Sequence, residues 1–243
     1  MPATASATIS VAYLGLIPVA TLALAVFRAH FVRKDLVPTD SKPLAADVMK
    51  RVQHRIIAEG CVPVSAFTVG GAWAAQRYID MAPFQLSSAQ SCLSFTFKAH
   101  TPCLVVLFVL FARVFDHRYK CPQAINHKDC PHLDFDYTKR HLQNTVEQFV
   151  FALTSQLALS QFLAPAQMAV IPYFVAVWVA GRIFFVLEYD GLGPNSGTRG
   201  RILGFLMTFI PSAYATLCCV FAFASFIRDP AKQPWSPLSI ALW

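Results

Sequence analysis

Three polar residues at helical spacing precede one of the long apolar stretches of this 243-residue chain. Arg140, Asn144 and Glu147 are four and three positions apart, so in an α-helix they share one face. The stretch that follows, as far as Leu163, is long and apolar enough to lie in a bilayer. Because an ionisable side chain inside such a segment is costly, it normally faces a partner or a polar cavity. This stripe is therefore the first candidate for a functional site.

A second polar set lies on the next apolar segment. Arg182 and Tyr189 are seven positions apart, which is about two helical turns. Glu147 lies seven residues beyond Arg140, and at about 1.5 Å per residue both it and Arg182 reach roughly 10 Å below one edge of two antiparallel helices. The expected pocket is lined by Arg140, Asn144, Glu147, Arg182 and Tyr189, with Arg199 and Arg201 near its mouth.

Two interpretations of this polar set are open. In the first, Glu147 and Arg182 form a buried ion pair that only fixes the register of two helices, since buried pairs often serve specificity more than stability. In the second, the set binds a small anionic ligand that also carries an amine. Arginine forks suit carboxylates, while Glu147 and Asn144 can receive an ammonium group or an amide.

The elements that must position these residues are membrane helices. Hydrophobic residues make up 56% of the chain and charged residues only 14%, against about a quarter charged in a soluble domain, and the mean hydropathy is +0.48. Apolar runs of roughly 20 residues predict transmembrane helices. There are six, at residues 9–27, 56–75, 93–111, 142–163, 168–187 and 202–226. The predicted fold class is an all-α polytopic membrane protein.

The basic residues are distributed as expected for such a topology. Residues 28–59 hold seven Lys and Arg, residues 113–140 hold six, and three more lie around the loop after the fifth helix, of the 20 in the chain. If all six segments span, these sixteen fall on one side, which the positive-inside rule assigns to the cytosol. Both termini are then luminal or external. The net charge of +7 reflects this topology and does not indicate nucleic-acid binding.

The chain divides into two parts. Residues 1–88 hold two helices joined by a basic loop, and residues 89–243 hold four helices with a long loop after the first. In the last of these helices, Gly200 and Gly204 permit close helix approach. The long loop carries side chains that could bind zinc, at His117, Cys121, His127, Cys130 and His132. Their spacing matches no standard zinc module, so a solvated polar loop is favoured and no metal site is expected.

The pattern in residues 90–227 resembles the MAPEG family, the membrane-associated proteins in eicosanoid and glutathione metabolism. The resemblance is carried by Arg-x-x-x-Asn-x-x-Glu at 140–147, by Gly181-Arg182 and Tyr189, by the basic start of the last helix, and by the four-helix layout. The two additional N-terminal helices are similar to the mattrin-like branch, in which a MAPEG-like domain follows an extension. The resemblance implies an endomembrane protein, in the endoplasmic reticulum or in the Golgi or lysosome.

The resemblance also implies a homotrimer that binds glutathione between neighbouring subunits near the cytosolic face. Arg140, Asn144 and Glu147 match the glutathione-binding motif, and Arg182 and Tyr189 match contacts from the fifth helix. The arginine that stabilises the thiolate corresponds to Arg201, with Arg199 beside it, and Arg113 is a further candidate. The expected second substrate is a lipophilic electrophile that is conjugated or reduced.

Two residues depart from the family pattern. Phe185 stands where active members commonly have tyrosine, which removes a hydroxyl that could bind glutathione. Glu188 stands where glycine is usual and adds a negative charge at the pocket mouth. These departures favour a second hypothesis, a non-catalytic scaffold or regulatory protein of the endomembrane system, whereas the stripe from Arg140 to Glu147 favours glutathione binding.

Overall fold

The structure is a computed structural model that describes residues 60–120, 133–190 and 198–228, without the side chains of residues 133, 134, 136, 137, 187–190 and 198–201. None of these residues forms a strand, in agreement with the predicted all-α fold. The helices are α1 (Val62–Tyr78), α2 (Ala89–Ala99), α3 (Thr101–Lys120), α4 (Leu133–Ser160), α5 (Val170–Asp190) and α6 (Thr198–Arg228). Short 3-10 helices, Ala82–Phe84 and Pro165–Ala169, lie between them.

Three of the predicted membrane segments are long apolar helices. The apolar segments are Ala89–Lys120, which comprises α2 and α3, Pro165–Val186 and Ile202–Arg228. In chain order they contain or overlap the predictions at 93–111, 168–187 and 202–226. The prediction at 142–163 falls mostly in α4, and the one at 56–75 overlaps the 17-residue α1. The prediction at 9–27 lies outside the described residues. The chain is a helical membrane protein, and the total of six spans stays a prediction.

α4 is longer than the hydrocarbon core of a bilayer. Its 28 residues rise about 42 Å, against a core of about 30 Å. It begins at Leu133, well before the predicted start at residue 142. The polar stripe that starts at Arg140 therefore lies inside a continuous helix, about two turns from its first residue, and its backbone is fixed by helical hydrogen bonds.

A break at His100 separates α2 from α3. Pro102 has no N–H to donate to the carbonyl of Lys98, and its ring crowds that carbonyl. The Thr101 hydroxyl donates to the Lys98 carbonyl instead, at 2.8 Å. The ring of His100 lies 6.3 Å from the ring of Phe149, so the break is packed against the middle of α4.

α5 is the central helix of the bundle. Every residue from 168 to 182 is buried. Gly181 and Gly204 allow α5 and α6 to approach closely, since a Cβ on Gly204 would lie 2.7 Å from the carbonyl oxygen of Gly181. Small residues at a crossing point are the usual means by which membrane helices pack. The close approach predicted at Gly204 is confirmed.

Contacts along the helices give their directions. Arg182 of α5 meets Thr208 of α6 while Phe174 meets Tyr214, so these two helices are antiparallel. One end of the bundle holds the start of α4, the end of α5 and the start of α6, and is called here the Arg140 end. The opposite end, where α1 ends and α5 begins, is called the Pro165 end.

α1 is packed into this bundle against α5. The Tyr173 hydroxyl donates to the carbonyl of Phe67 at 2.7 Å, and the two rings are 6.0 Å apart. Gly71 lies directly under the Tyr173 phenol, and a Cβ at this position would overlap it. The buried face of α1 consists of Val64, Thr68, Ala72 and Ala75. α1 precedes the predicted domain boundary at residue 88. Its buried side chains nevertheless belong to the same hydrophobic core as those of the helices that follow.

The two adjacent glycines of α1 provide a matched test of this docking. We expect Gly71→Ala to lower the free energy of unfolding by about 1–3 kcal/mol, because the methyl group forces Tyr173 away from Phe67. Gly70 has nothing within 4 Å of an added Cβ, so Gly70→Ala should be neutral or slightly stabilising. Thermal unfolding of the detergent-purified variants measures both. Equal melting temperatures would contradict the docking.

Candidate functional site

The predicted stripe lies at the border between the buried and exposed faces of α4. Arg140 and Glu147 are exposed, and Asn144 is half-buried. On the adjoining face, Thr145 and Gln148 are buried against the other helices. The stripe thus belongs to the outer surface of the single-chain bundle, and only Asn144 turns partly inwards.

Arg182 is a fully buried charged residue among those that the structure describes, with 0% of its surface exposed. Its Nη1 donates to Asn144 Oδ1 at 2.8 Å and lies 3.4 Å from Thr145 Oγ1, and its Nη2 donates to Thr208 Oγ1 at 2.6 Å. The guanidinium therefore joins α4, α5 and α6. Its Nε has no hydrogen-bond partner.

Aromatic rings enclose the same guanidinium. Its carbon lies 4.8 Å from the ring centroid of Phe185 and 5.9 Å from that of Trp178. The ring of His141 lies 4.7 Å from that of Phe185. Such faces attract a cation through the ring quadrupole, so these rings partly replace the counter-ion that a buried cation normally requires.

The ion pair between Glu147 and Arg182 is not formed. Glu147 is exposed, and its Oε1 accepts a hydrogen bond from Gln143 Nε2 at 3.1 Å. Arg182 is held by neutral oxygens, and no carboxylate of the described residues pairs with it. Equal depth was predicted for Glu147 and Arg182, but Arg182 contacts Asn144, which is nearly one turn closer to the start of α4. Glu147 lies on the exposed face of that helix.

Arg182 is also closed to solvent, whereas a pocket open at Arg182 was expected. Since its side chain is completely covered, a ligand on the outer face of α4 in this chain reaches Asn144 but not the guanidinium. The reason is Phe185, which fills the space over Arg182 on the same helix. Of the other predicted residues, Arg140 and Glu147 lie on this outer face.

The remaining candidates lie at the Arg140 end. Tyr189 is in the last turn of α5, while Arg199 and Arg201 are in the first turns of α6, and the side chains of all three are outside the described part. Arg113 is half-buried on α3. It lines a cavity of about 500 Å³ together with Phe108, Val109, Ala112, Asp116 and His117.

Sequence reasoning missed the partners that hold the site together. Thr145 and Thr208 accept from Arg182, and Gln143 donates to Glu147, but none of the three was predicted as a contact. The threonines are hard to identify from the sequence, because a threonine hydroxyl in a membrane helix usually donates to a backbone carbonyl of the same helix. Thr208 also does this, with the carbonyl of Phe205 at 2.8 Å. The useful signal is the close approach at Gly204, one turn before Thr208, which brings that hydroxyl to Arg182.

Removing the Thr208 hydroxyl tests this network. We expect Thr208→Val to lower the free energy of unfolding by about 2–3 kcal/mol, because it leaves Nη2 of a buried cation without its acceptor. Thr216→Val is the matched control, since the Thr216 hydroxyl donates only within its own helix, to Ser212 at 2.9 Å. Chemical unfolding in detergent compares them, and equal losses would show that the contact to Arg182 contributes nothing particular.

Comparison with known proteins agrees with this architecture. The sequence profile of the MAPEG family matches residues 100–221, which run from the break before α3 into the second half of α6. No curated protein and no solved structure matches the chain. The match covers half of the chain and includes Asn144, Arg182 and their contacts. The chain belongs to the MAPEG family, and so to a family of membrane proteins of glutathione and eicosanoid metabolism.

Proposed function

We propose that this protein binds glutathione on the outer face of α4, in an interface between copies of a homotrimer, and uses it to conjugate or reduce lipophilic electrophiles. The observation that carries the proposal is the exposed polar stripe of Arg140, Asn144 and Glu147 in a chain of this family. The Arg140 end is taken as cytosolic, with both termini luminal, in an endomembrane.

The exposure of Glu147 supports a partner at this face. Its neighbours along the helix surface, Val146 and Val150, are exposed apolar side chains, as expected at membrane depth. A carboxylate facing lipid at that level is costly. A second copy of the chain, with ligand held between the copies, would remove Glu147 from lipid, which favours the homotrimer over a monomer.

The hydrogen bonds define what the stripe offers a ligand. Because Arg182 donates to Asn144 Oδ1, the amide oxygen faces inwards and the Nδ2 group is left to donate outwards. Asn144 therefore suits a carboxylate or carbonyl oxygen better than the ammonium group first expected. Arg140 suits a second carboxylate and Glu147 an ammonium group. Glutathione carries two carboxylates and one ammonium group, which matches these three side chains.

The thiolate chemistry is assigned to the arginines at the Arg140 end. Lowering a thiol pKa from about 8.5 to about 6.5 requires about 2.7 kcal/mol of differential stabilisation. A guanidinium in a dry site supplies such an interaction, and we assign this role to Arg201. Arg199, Arg113 and Tyr189 are proposed as further contacts to glutathione.

A second function, a membrane scaffold without turnover, is favoured by one observation. Phe185 covers Arg182 at 4.8 Å, so the position that supplies a tyrosine hydroxyl in the family pattern supplies hydrocarbon here. In this alternative the guanidinium of Arg182 only stabilises the helix bundle, and the outer surfaces of the bundle bind other membrane proteins. The mattrin-like extension belongs to this alternative.

Glutathione-dependent stabilisation tests binding. At 100 times the dissociation constant we expect the free energy of unfolding to rise by about 2.7 kcal/mol, measured as a higher melting temperature in detergent. Glu147→Gln should abolish this increase because it removes the partner of the ammonium group. Asp80→Asn, at the Pro165 end, is the control and should retain it. An unchanged wild-type melting temperature at millimolar glutathione would leave only the scaffold function.

Turnover separates binding from catalysis. With a general aromatic electrophile, we expect the wild type to form the glutathione conjugate and Arg201→Ala to lose at least about tenfold in rate, which corresponds to about 1.4 kcal/mol of thiolate stabilisation. Arg228→Ala, at the opposite end of α6, should keep the wild-type rate. Binding without any wild-type turnover would identify a glutathione-binding scaffold.

A further inference from the structure

A second cavity lies at the Pro165 end, remote from the stripe on α4. Its volume is about 670 Å³, and it lies between the end of α1, the segment before α2 and the turn into α5. Most of its lining comes from residues 76–87, which precede the part matched by the family profile. The cavity is therefore formed largely by the part of this chain that adds α1 to the bundle.

The cavity lies at the level of lipid headgroups. Pro165 and Ala166 line it, and Pro165 is the first residue of the span Pro165–Val186. That position is where the hydrocarbon core gives way to the polar interface. Tyr78, also in the lining, is 79% exposed, and exposed tyrosines are typical of this layer.

The two charges of the cavity do not neutralise each other. Arg77 and Asp80 both line it and both are exposed, yet no ion pair joins them, and no described residue accepts a hydrogen bond from Arg77. Asp80 uses Oδ1 to accept from the backbone N–H of Ala82 at 2.9 Å, which fixes the carboxylate and leaves Oδ2 unused. A ligand that carries both signs of charge fits this arrangement.

The rest of the lining is apolar or backbone. Met81 and Leu86 line the cavity and are buried, so they offer contact for hydrocarbon. Gln85, another lining residue, has a φ of 49°, a left-handed conformation that is uncommon for residues other than glycine. This turn holds the 82–87 segment against the end of α1 and so maintains the cavity.

We propose that this cavity binds the headgroup of a zwitterionic glycerophospholipid, with the phosphate against Arg77 and the amine against Asp80. The start of the acyl chains lies on Met81, Leu86 and Tyr78. The site is separate from the glutathione site and does not depend on it. Lipid bound here joins the end of α1 to the start of α5, and adds to the direct packing of α1 against α5, α6 and Pro165–Ala169.

Lipid titration of delipidated, detergent-purified full-length protein tests the proposal, with bound lipid counted by native mass spectrometry. We expect one phosphatidylcholine per chain, bound at least fivefold more tightly than phosphatidylglycerol. Arg77→Gln and Asp80→Asn should each weaken phosphatidylcholine binding by about tenfold. Arg77→Gln removes a charge-assisted hydrogen bond to the phosphate, and Asp80→Asn removes the coulombic attraction to the quaternary ammonium. Arg228→Gln, an exposed arginine in the last turn of α6, is the control and should bind as the wild type does.

Other results would overturn the proposal. Wild-type affinity in Arg77→Gln, or an equal loss in Arg228→Gln, would show that the cavity does not hold the phosphate. Equal affinity for phosphatidylglycerol together with an unchanged Asp80→Asn would exclude the zwitterionic headgroup. Water-soluble glycerophosphocholine that binds as tightly as the lipid would identify a soluble phosphodiester as the ligand instead. Glutathione-dependent stabilisation of each variant, measured in parallel, keeps these results separate from the fate of the proposed function.

Discussion

The buried guanidinium of Arg182 is the interaction that joins α4, α5 and α6, the three helices that carry most of the candidate site residues. It lies without a carboxylate partner among the described residues, held by Asn144, Thr145 and Thr208 and by two aromatic faces. A cation in the apolar part of a membrane protein is costly unless hydrogen bonds and nearby polar or aromatic groups compensate its charge, as they do here at both Nη atoms. Any slip of α4 or α6 along α5 removes an acceptor, so this one side chain fixes the register of three helices.

The close packing of α5 and α6 is what allows this network to form. Apolar surface gives little driving force between helices that are already in lipid, so van der Waals contact and hydrogen bonds must supply it. Gly181 and Gly204 bring the two backbones together next to Arg182 and one turn before Thr208. With a larger residue at either position, the Thr208 hydroxyl would lie beyond the reach of the guanidinium.

Apolar length and helical spacing were enough to predict most of the bundle, including α5 and α6. They could not predict the direction of Glu147, because a stripe spaced four and three apart covers an arc that crosses from the buried to the exposed face of α4. They also could not predict how α1 docks on α5, which depends on Gly71. The same glycine is the point at which Tyr173 docks, and such a contact depends on a residue 102 positions away.

The sealed position of Arg182 changes the way in which it can act on a ligand. A guanidinium that donates to Asn144 Oδ1 withdraws electron density from the amide and makes its Nδ2 hydrogens stronger donors, and hydrogen bonds in such chains reinforce one another. Because Arg182 is completely buried, water does not compete for the guanidinium and does not weaken this effect. An anion on the outer face of α4 thus experiences the buried charge through one amide. With phenylalanine at position 185, Arg182 is covered, and it acts on a ligand only through Asn144 and without direct contact.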